Sequence, residues 1–259
     1  MLDFFILVNV VILCPIVIYG IIIAFINKLN SKNLHTQSKW WIYTMCGFIG
    51  TPVHELSHLV FNLIFFHKVK EVQLYRPRKS RKDGILGYVN FTHNEKSLYQ
   101  NVGLFFTGIG PMIGGCAVLY LLMILLLPDA FHSLVYTKIE NLDIVNILLN
   151  LKDNMITNLS CIFTKYSSLQ NLIIFLVLAF SISTHMHISP ADLKTAVKGF
   201  WILEVVILLV SVVLGLIGDA ASANAVLMIS SYMLSFLTMG LAFSLVALLI
   251  SFLISLIPE

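Results

Sequence analysis

Charged residues are scarce in this sequence, and their scarcity excludes most classes of soluble protein. Only 11% of the 259 residues are Asp, Glu, Lys or Arg, whereas soluble domains carry about 25%. Hydrophobic residues make up 58%, and the mean hydropathy is +0.92. The net charge of +3 is spread over the loops and does not indicate nucleic-acid binding. The composition therefore predicts an integral membrane protein.

Paired cysteines, internal repeats and low-complexity tracts are also missing. The four cysteines, Cys14, Cys46, Cys116 and Cys161, are scattered and form no CxxC pair. Neither a disulfide framework nor a cysteine zinc site is indicated. Many transporters are built from internal repeats, so the lack of a repeat argues against that class. We expect residues 1–259 to form a single transmembrane domain.

Six long apolar runs dominate the rest of the chain. A helix needs about 20 apolar residues to cross a ~30 Å hydrocarbon core. We therefore predict an all-α integral membrane protein with about six transmembrane helices. The first run lacks a basic segment before it and a small-residue cleavage site after it, which favours an anchor over a signal peptide. The runs are Phe4–Ile26, Trp40–Phe66, Val102–Leu127, Leu172–Thr184, Phe200–Ile217 and Ala225–Ile257.

The Lys and Arg residues fall into four loop groups, and their distribution predicts an orientation. Three lie in 28–39, eight in 68–96, three in 138–165 and two in 194–198. If six helices alternate, the second and fourth groups share one side, and the positive-inside rule puts that side in the cytoplasm. The loop 128–170 is then extracytoplasmic, with an amphipathic surface helix that includes Ile139, Leu142 and Leu151.

The sequence His54-Glu-Leu-Ser-His58 lies inside the second apolar run, where ionisable groups are costly. Residues four apart project from one face of a helix, so the two imidazoles are a ready pair of zinc ligands. Glu55 beside them can take a proton from water, as a general base does. The motif predicts a Zn²⁺ site, placed by the charge count in the cytoplasmic half of the bilayer.

A strand-like segment follows the motif, and a Gly-Pro motif follows that segment. VKEVQLY and ILGYVNF flank the turn-rich RPRKSRKDG, which predicts a β-hairpin after the HExxH helix. The next run contains GIGPMIGG, Gly108 to Gly115. Together with HELSH, this order resembles the site-2 protease family of intramembrane zinc metalloproteases. The resemblance covers about residues 39–200 and implies a catalytic core there. Gly114 stands where the family often has Asn.

The resemblance also implies a third zinc ligand in HISPADLKTAVKG. The family uses an Asp in a motif with Asn and Pro before an Asp-Gly pair, and Pro190 and Asp192 take those places. The Asn is absent and Leu193 replaces the Gly, which marks a divergent member. Glu204 is the main rival ligand, because other zincins use a Glu, and His185 and His187 are further alternatives.

The expected function is hydrolysis of a peptide bond in or near a transmembrane segment of a membrane-tethered regulator or a small precursor peptide. Glu55 would be the general base, and His54, His58 and Asp192 the zinc ligands. We expect four residues to contact the extended substrate: Val72 and Leu74 on the hairpin, and Gly110 and Pro111 in the Gly-Pro motif. The expected partners are this substrate and the lipid bilayer. Two other classes stay open: a transporter or permease with a transient metal or proton site at HELSH, and an inactive scaffold with a structural zinc.

Overall fold

The computed structural model describes residues 2–34, 39–138, 143–217 and 220–256. Within these ranges, helices and one two-stranded hairpin account for all the regular structure. The elements in chain order are α1 (Leu2–Val8), a π-helical turn (Asn9–Leu13), α2 (Cys14–Asn33), α3 (Trp40–Ile64), β1 (Lys68–Gln73), α4 (Pro77–Asp83), β2 (Tyr88–Thr92), α5 (Leu98–Leu126), α6 (Pro128–His132), α7 (Ile144–Thr164), α8 (Leu169–Ser183), α9 (Pro190–Ile217) and α10 (Ala220–Ser255).

Among the described residues, four helical stretches are long and apolar enough to cross a membrane. They are Phe4–Asn33, Leu98–Leu126, Pro190–Leu214 and Ser222–Ser255, and they indicate a membrane protein. Two of the six predicted runs are not among the four. One is α3, which carries the polar HELSH motif, and the other is α8, which has 15 residues.

Small residues bring α5 and α9 into close contact. A Cβ on Gly108 would lie 2.5 Å from the carbonyl oxygen of Asp192 and 2.6 Å from the backbone nitrogen of Ala196. A Cβ on Gly199 would lie 2.5 Å from the carbonyl oxygen of Asn101. Glycine alone lets the two backbones approach this far. This contact holds the first turn of α9 at the level of the HELSH motif.

Ser189 and Asp192 explain why α9 begins where it does. The backbone N–H of Asp192 donates to Ser189 Oγ at 3.2 Å, and the N–H of Ser189 donates to Asp192 Oδ2 at 3.0 Å. This reciprocal arrangement is a capping box, and Pro190 at the first helical position suits it. One carboxylate oxygen of Asp192 is therefore fixed by the start of its own helix.

The predicted hairpin is present, with β1 and β2 antiparallel and an irregularity between Val69 and Glu71. Its connection differs from the predicted turn, because the segment forms the short helix α4. Pro77 suits the first helical turn, and Gly84 ends the helix with φ 74°. Arg76 pairs with Asp83 across α4. The N–H of Ile85, together with this guanidinium, holds the pKa of the Asp83 carboxyl below its usual value.

The hairpin returns along α3 toward the start of that helix. Near the tip, Trp40 Nε1 donates to Ser80 Oγ at 3.2 Å, and Tyr75 Oη donates to the Thr44 carbonyl at 2.6 Å. Near the base, Tyr99 Oη donates to the Ile64 carbonyl at 2.9 Å. Tip and base therefore lie at opposite ends of α3, about 36 Å apart. The eight Lys and Arg residues of 68–96 are divided between these ends.

The segment 128–170 packs against the helical bundle through α7. Asn154 Nδ2 donates to Ser231 Oγ at 3.3 Å, and Asn158 Nδ2 donates to Ser235 Oγ at 3.4 Å. Leu151 is buried in a cluster with residues of α1 and α10. The predicted amphipathic helix is thus a packed element that begins at Ile144, and the predicted positions Ile139 and Leu142 lie outside the described residues.

Candidate metal centre

The two histidines of HELSH face each other from successive turns of α3. Their Nε2 atoms lie 3.2 Å apart. Nδ1 of His54 donates to the carbonyl oxygen of His185, and Nδ1 of His58 donates to the carbonyl oxygen of Thr107, both at 2.8 Å. The histidines on α3 are therefore held by backbone from two other segments, the turn after α8 and the middle of α5.

These hydrogen bonds determine which ring nitrogen carries the proton. A carbonyl oxygen only accepts, so each Nδ1 must be the donor, and a neutral imidazole then has its lone pair on Nε2. When both rings are neutral, two lone pairs face each other across 3.2 Å and repel, and neither ring can donate to the other. A cation between them removes the repulsion, and histidines that ligate metals usually donate their other ring nitrogen in this way.

Asp192 completes the group from the first turn of α9. Its Oδ1 lies 3.3 Å from His58 Nε2, and its Oδ2 lies 3.8 Å from His54 Nε2. One ligand atom from each of the three residues falls within 4.8 Å of the others. The structure therefore brings together the three residues that the sequence analysis named as ligands.

The spacing of this group fits a small tetrahedral metal ion. Zinc binds imidazole nitrogen and carboxylate oxygen at ~2.0–2.2 Å, which places tetrahedral ligand atoms ~3.3–3.5 Å apart. The two nitrogens at 3.2 Å and the pair His58 Nε2–Asp192 Oδ1 at 3.3 Å are close to this spacing, and the pair His54 Nε2–Asp192 Oδ2 at 3.8 Å is longer. Three protein ligands leave a fourth position open, as in catalytic zinc sites.

Glu55 lines the same cavity as the three ligands but is not one of the clustered group. The cavity has a volume of about 410 Å³. Glu55 is buried, with 6% of its surface exposed. A Cβ on Gly87 would lie 2.7 Å from Glu55 Cγ, so the start of the second strand segment covers this side chain. The position suits a base that acts beside a metal.

The hairpin contributes to the cavity through its second half. Residues 84–91 line the cavity, including most of β2. Val72, Leu74, Gly110 and Pro111, which we expected to contact substrate, lie outside this lining. Alternation along a strand predicts which residues share a face of the hairpin, but it does not predict which of the two strands faces a cavity formed with other helices.

Three buried polar atoms of residues that line the cavity have no hydrogen-bond partner within the described part of the chain. They are Thr51 Oγ1, Thr107 Oγ1 and His185 Nε2. Burying such groups is costly unless they are hydrogen-bonded. They offer hydrogen-bonding positions to a polar molecule in the cavity.

The rival ligands have other partners. Glu204 Oε2 accepts from Asn9 Nδ2 at 3.2 Å, three helical turns along α9 from Asp192. His185 Nδ1 donates to the Ser181 carbonyl at 3.0 Å. His187 Nδ1 lies 3.0 Å from Asn27 Nδ2, although its ring packs 5.2 Å from that of His54. None of the three belongs to the clustered group.

Gly114 has no room for a larger side chain, such as the Asn that often stands at this place in the Gly-Pro motif that GIGPMIGG resembles. A Cβ there would collide with the side chain of Ser57. Ser57 is itself fixed, because its hydroxyl donates to the Val53 carbonyl at 2.6 Å. An Asn at position 114 would not fit beside Ser57, so the glycine suits the packing of α5 on α3.

His67, to which the sequence analysis gave no role, joins the base of the hairpin to the bundle. Its Nε2 donates to the Gln100 carbonyl at 2.8 Å, and its Nδ1 lies 2.8 Å from Asn62 Oδ1. Burial lowers the pKa of His67. These contacts indicate a structural role.

Sequence reasoning missed Ser189, Gly87 and Thr107. The capping-box spacing Ser189–Asp192 was readable in advance. Gly87 and the Thr107 carbonyl carry no such signal, because their roles depend on which elements pack together.

Comparisons with protein-family models, with curated proteins and with solved structures give no match.

Proposed function

We propose that this protein is a zinc endopeptidase of the site-2 protease type that cleaves a peptide bond in or near a transmembrane segment. The observation that carries the proposal is the pair of Nε2 atoms 3.2 Å apart, both with Nδ1 on a carbonyl oxygen and with a carboxylate beside them. His54, His58 and Asp192 would hold the zinc. Glu55, buried beside the ligands, would be the general base.

The chain's own residues can carry the proton transfers of hydrolysis. Zinc, when bound, would lower the pKa of water and polarise the scissile carbonyl. Glu55 takes a proton from the water whose oxygen attacks the carbonyl carbon. It then gives that proton to the leaving amine as the C–N bond breaks. The two Nδ1 hydrogen bonds fix the orientation of both imidazoles and leave each Nε2 directed at the site.

The hairpin supports an extended substrate. A peptide bond within a helix is shielded, so an intramembrane protease must hold its substrate extended at the cut. In the described sheet β2 pairs on one side only, and it lines the cavity. Its other edge is suited to pair with a substrate backbone by strand addition. Non-helical backbone at membrane depth is tolerated where it lines such a cavity.

We propose a multi-pass arrangement in which α3 and α8 join the four apolar stretches as membrane-crossing helices. The hairpin tip carries Arg76, Arg78, Lys79, Arg81 and Lys82 at the Trp40 end of α3. Applied to this arrangement, the positive-inside rule favours the Trp40 end in the cytoplasm.

With this orientation, the metal site lies in the opposite half of the bilayer from the one predicted from sequence. His58 lies six residues, about 9 Å, from the Ile64 end of α3. The site then falls in the half of the bilayer away from the cytoplasm. The sequence count gave the cytoplasmic half because it treated residues 68–96 as one loop on one side.

Glu55→Gln tests the proposed chemistry. The substitution is nearly isosteric and removes the base, so zinc should stay bound at about one ion per chain while cleavage stops. Zinc in the purified protein and cleavage of a co-expressed single-pass membrane protein are measured together, with His54→Ala as the zinc-free control. Cleavage at the wild-type rate would refute the mechanism. Zinc binding with metal transport, and no cleavage by the wild type, would favour a carrier.

A further inference from the structure

Pro111 lies in the middle of α5, where a proline removes a backbone hydrogen bond. In a helix, the N–H of residue 111 would donate to the carbonyl oxygen of residue 107. Proline has no N–H, and its ring pushes against that carbonyl. The carbonyl of Thr107 therefore lacks its usual helical partner.

The same carbonyl accepts the hydrogen bond from His58 Nδ1 at 2.8 Å. This contact orients the ring so that Nε2 points at His54 and Asp192. It also sets the tautomer, because Nδ1 must carry the proton. The group that holds His58 is thus a carbonyl left free by Pro111.

From this geometry we infer that Pro111 is a positioning residue for the metal centre. It acts through Thr107 and His58 and does not line the cavity that the ligand group shares. The inference rests on the proposed function for its effect on zinc, but its effect on the His58 tautomer does not depend on zinc or on proteolysis. This role is distinct from the substrate contact that the sequence analysis expected of Pro111.

The chain offers a matched control in Pro52, which also lies inside a helix. Its missing N–H frees the carbonyl of Phe48, and within the described residues no side chain donates to that carbonyl. Pro52→Ala thus restores a helical hydrogen bond without competing for a histidine. Pro111→Ala restores one that competes with His58 Nδ1 for the Thr107 oxygen.

Zinc affinity is measured by competition with a chelator for the wild type, Pro111→Ala and Pro52→Ala. Loss of a partner that orients a ligating histidine typically lowers metal affinity ~10–100-fold. We expect a loss in this range for Pro111→Ala and wild-type affinity, within a factor of about three, for Pro52→Ala. Equal losses in both variants would overturn the inference, as would unchanged affinity in Pro111→Ala.

The second measurement uses zinc-free protein labelled with ¹⁵N-histidine, with His58 assigned by comparison with His58→Ala. The expected wild-type spectrum shows His58 as the neutral Nδ1–H tautomer, and Pro111→Ala shows a mixture with Nε2–H. An Nε2–H tautomer in the wild type would overturn the inference even if the variant fails to fold. If the wild type binds no zinc, the proposed function fails, while the tautomer still decides the role of Pro111.

Discussion

At the scale of single residues, the two histidines of HELSH differ from ordinary buried histidines. A buried imidazole usually satisfies one nitrogen as donor and the other as acceptor. In HELSH, His54 Nδ1 donates to the carbonyl of His185 and His58 Nδ1 donates to the carbonyl of Thr107. The Nε2 atoms of the two rings therefore face each other at the candidate metal site. Polar groups inside an apolar protein persist when something offsets their cost. A cation at that point would offset it.

Asp192 is expected to be the third ligand, and graded substitutions test this. Asp192→Asn keeps a neutral oxygen, and Asp192→Ala keeps none, so zinc affinity should fall in that order. For Asp192→Ala the loss should exceed the ~10–100-fold typical of residues that only orient a ligand.

Two controls separate ligation from helix capping in this series. Ser189→Ala removes the capping hydroxyl, which costs about 1 kcal/mol of stability, and leaves the carboxylate in place. Glu204→Gln should leave zinc bound, since Glu204 pairs with Asn9. Zinc loss in Glu204→Gln with retention in Asp192→Ala would disprove the ligand assignment and weaken the likeness to site-2 proteases.

At the scale of elements, α5 is the helix on which the site is assembled. It packs against α3 through Gly110 and Gly114 and against α9 through Gly108. It also supplies the carbonyl for His58. The GIGPMIGG segment therefore sets the distance between the helix of the histidines and the helix of the aspartate.

Gly108→Ala should weaken zinc binding by pushing α9 away from α3. The new Cβ would lie 2.5 Å from the carbonyl oxygen of Asp192 and 2.6 Å from the backbone nitrogen of Ala196. Backbone atoms cannot relieve such a clash by changing rotamer, so the helix itself must move. Overpacking of this kind costs about 1–3 kcal/mol, which corresponds to a loss of about 5- to 150-fold in zinc affinity if the strain is relieved by moving Asp192. Chelator competition measures the affinity.

Gly240→Ala is the matched control for this change. Its Cβ would find neighbours no closer than 3.7 Å, which is ordinary contact, so wild-type zinc affinity is expected. If Gly108→Ala binds zinc as well as Gly240→Ala does, the close contact of α5 and α9 does not set the ligand spacing.

At the scale of the whole molecule, the hairpin changes the side of the membrane to which the Lys and Arg residues of 68–96 are assigned. Sequence alone treats 68–96 as one loop between two helices. In the structure its tip lies beside Trp40 and its base beside Ile64. Lys79 at the tip and Lys96 at the base should therefore face opposite sides of the membrane if α3 crosses it.

Single cysteines at these two positions, in a chain whose four native cysteines are replaced, test this arrangement. Lys79→Cys should react with an impermeant thiol reagent only from the cytoplasmic side, and Lys96→Cys only from the opposite side. Reaction of both from the cytoplasm would restore the orientation predicted from sequence. Reaction of Lys79→Cys from outside would disprove both orientations.

The sequence by itself determined the features that depend on local chemistry. Four of the long apolar runs form helices long and apolar enough to cross a membrane, and alternation around a turn-rich segment gives the hairpin. The spacing of His54 and His58 puts them on one helix face wherever that helix packs. The resemblance of HISPADLKTAVKG to a ligand motif points to Asp192, although the sequence carries no information about a contact between α3 and α9.

Only the tertiary structure decided the features that depend on packing between distant segments. The approach of α9 to α5 through Gly108 brings Asp192 to His58, and the carbonyls of Thr107 and His185 orient the two rings. The tertiary structure also decided that β2 and not β1 lines the cavity, and that the hairpin extends along α3 as far as Trp40. Local patterns fix helix faces and strand alternation, whereas contacts between segments 31 to 131 residues apart depend on the fit of all the helices together.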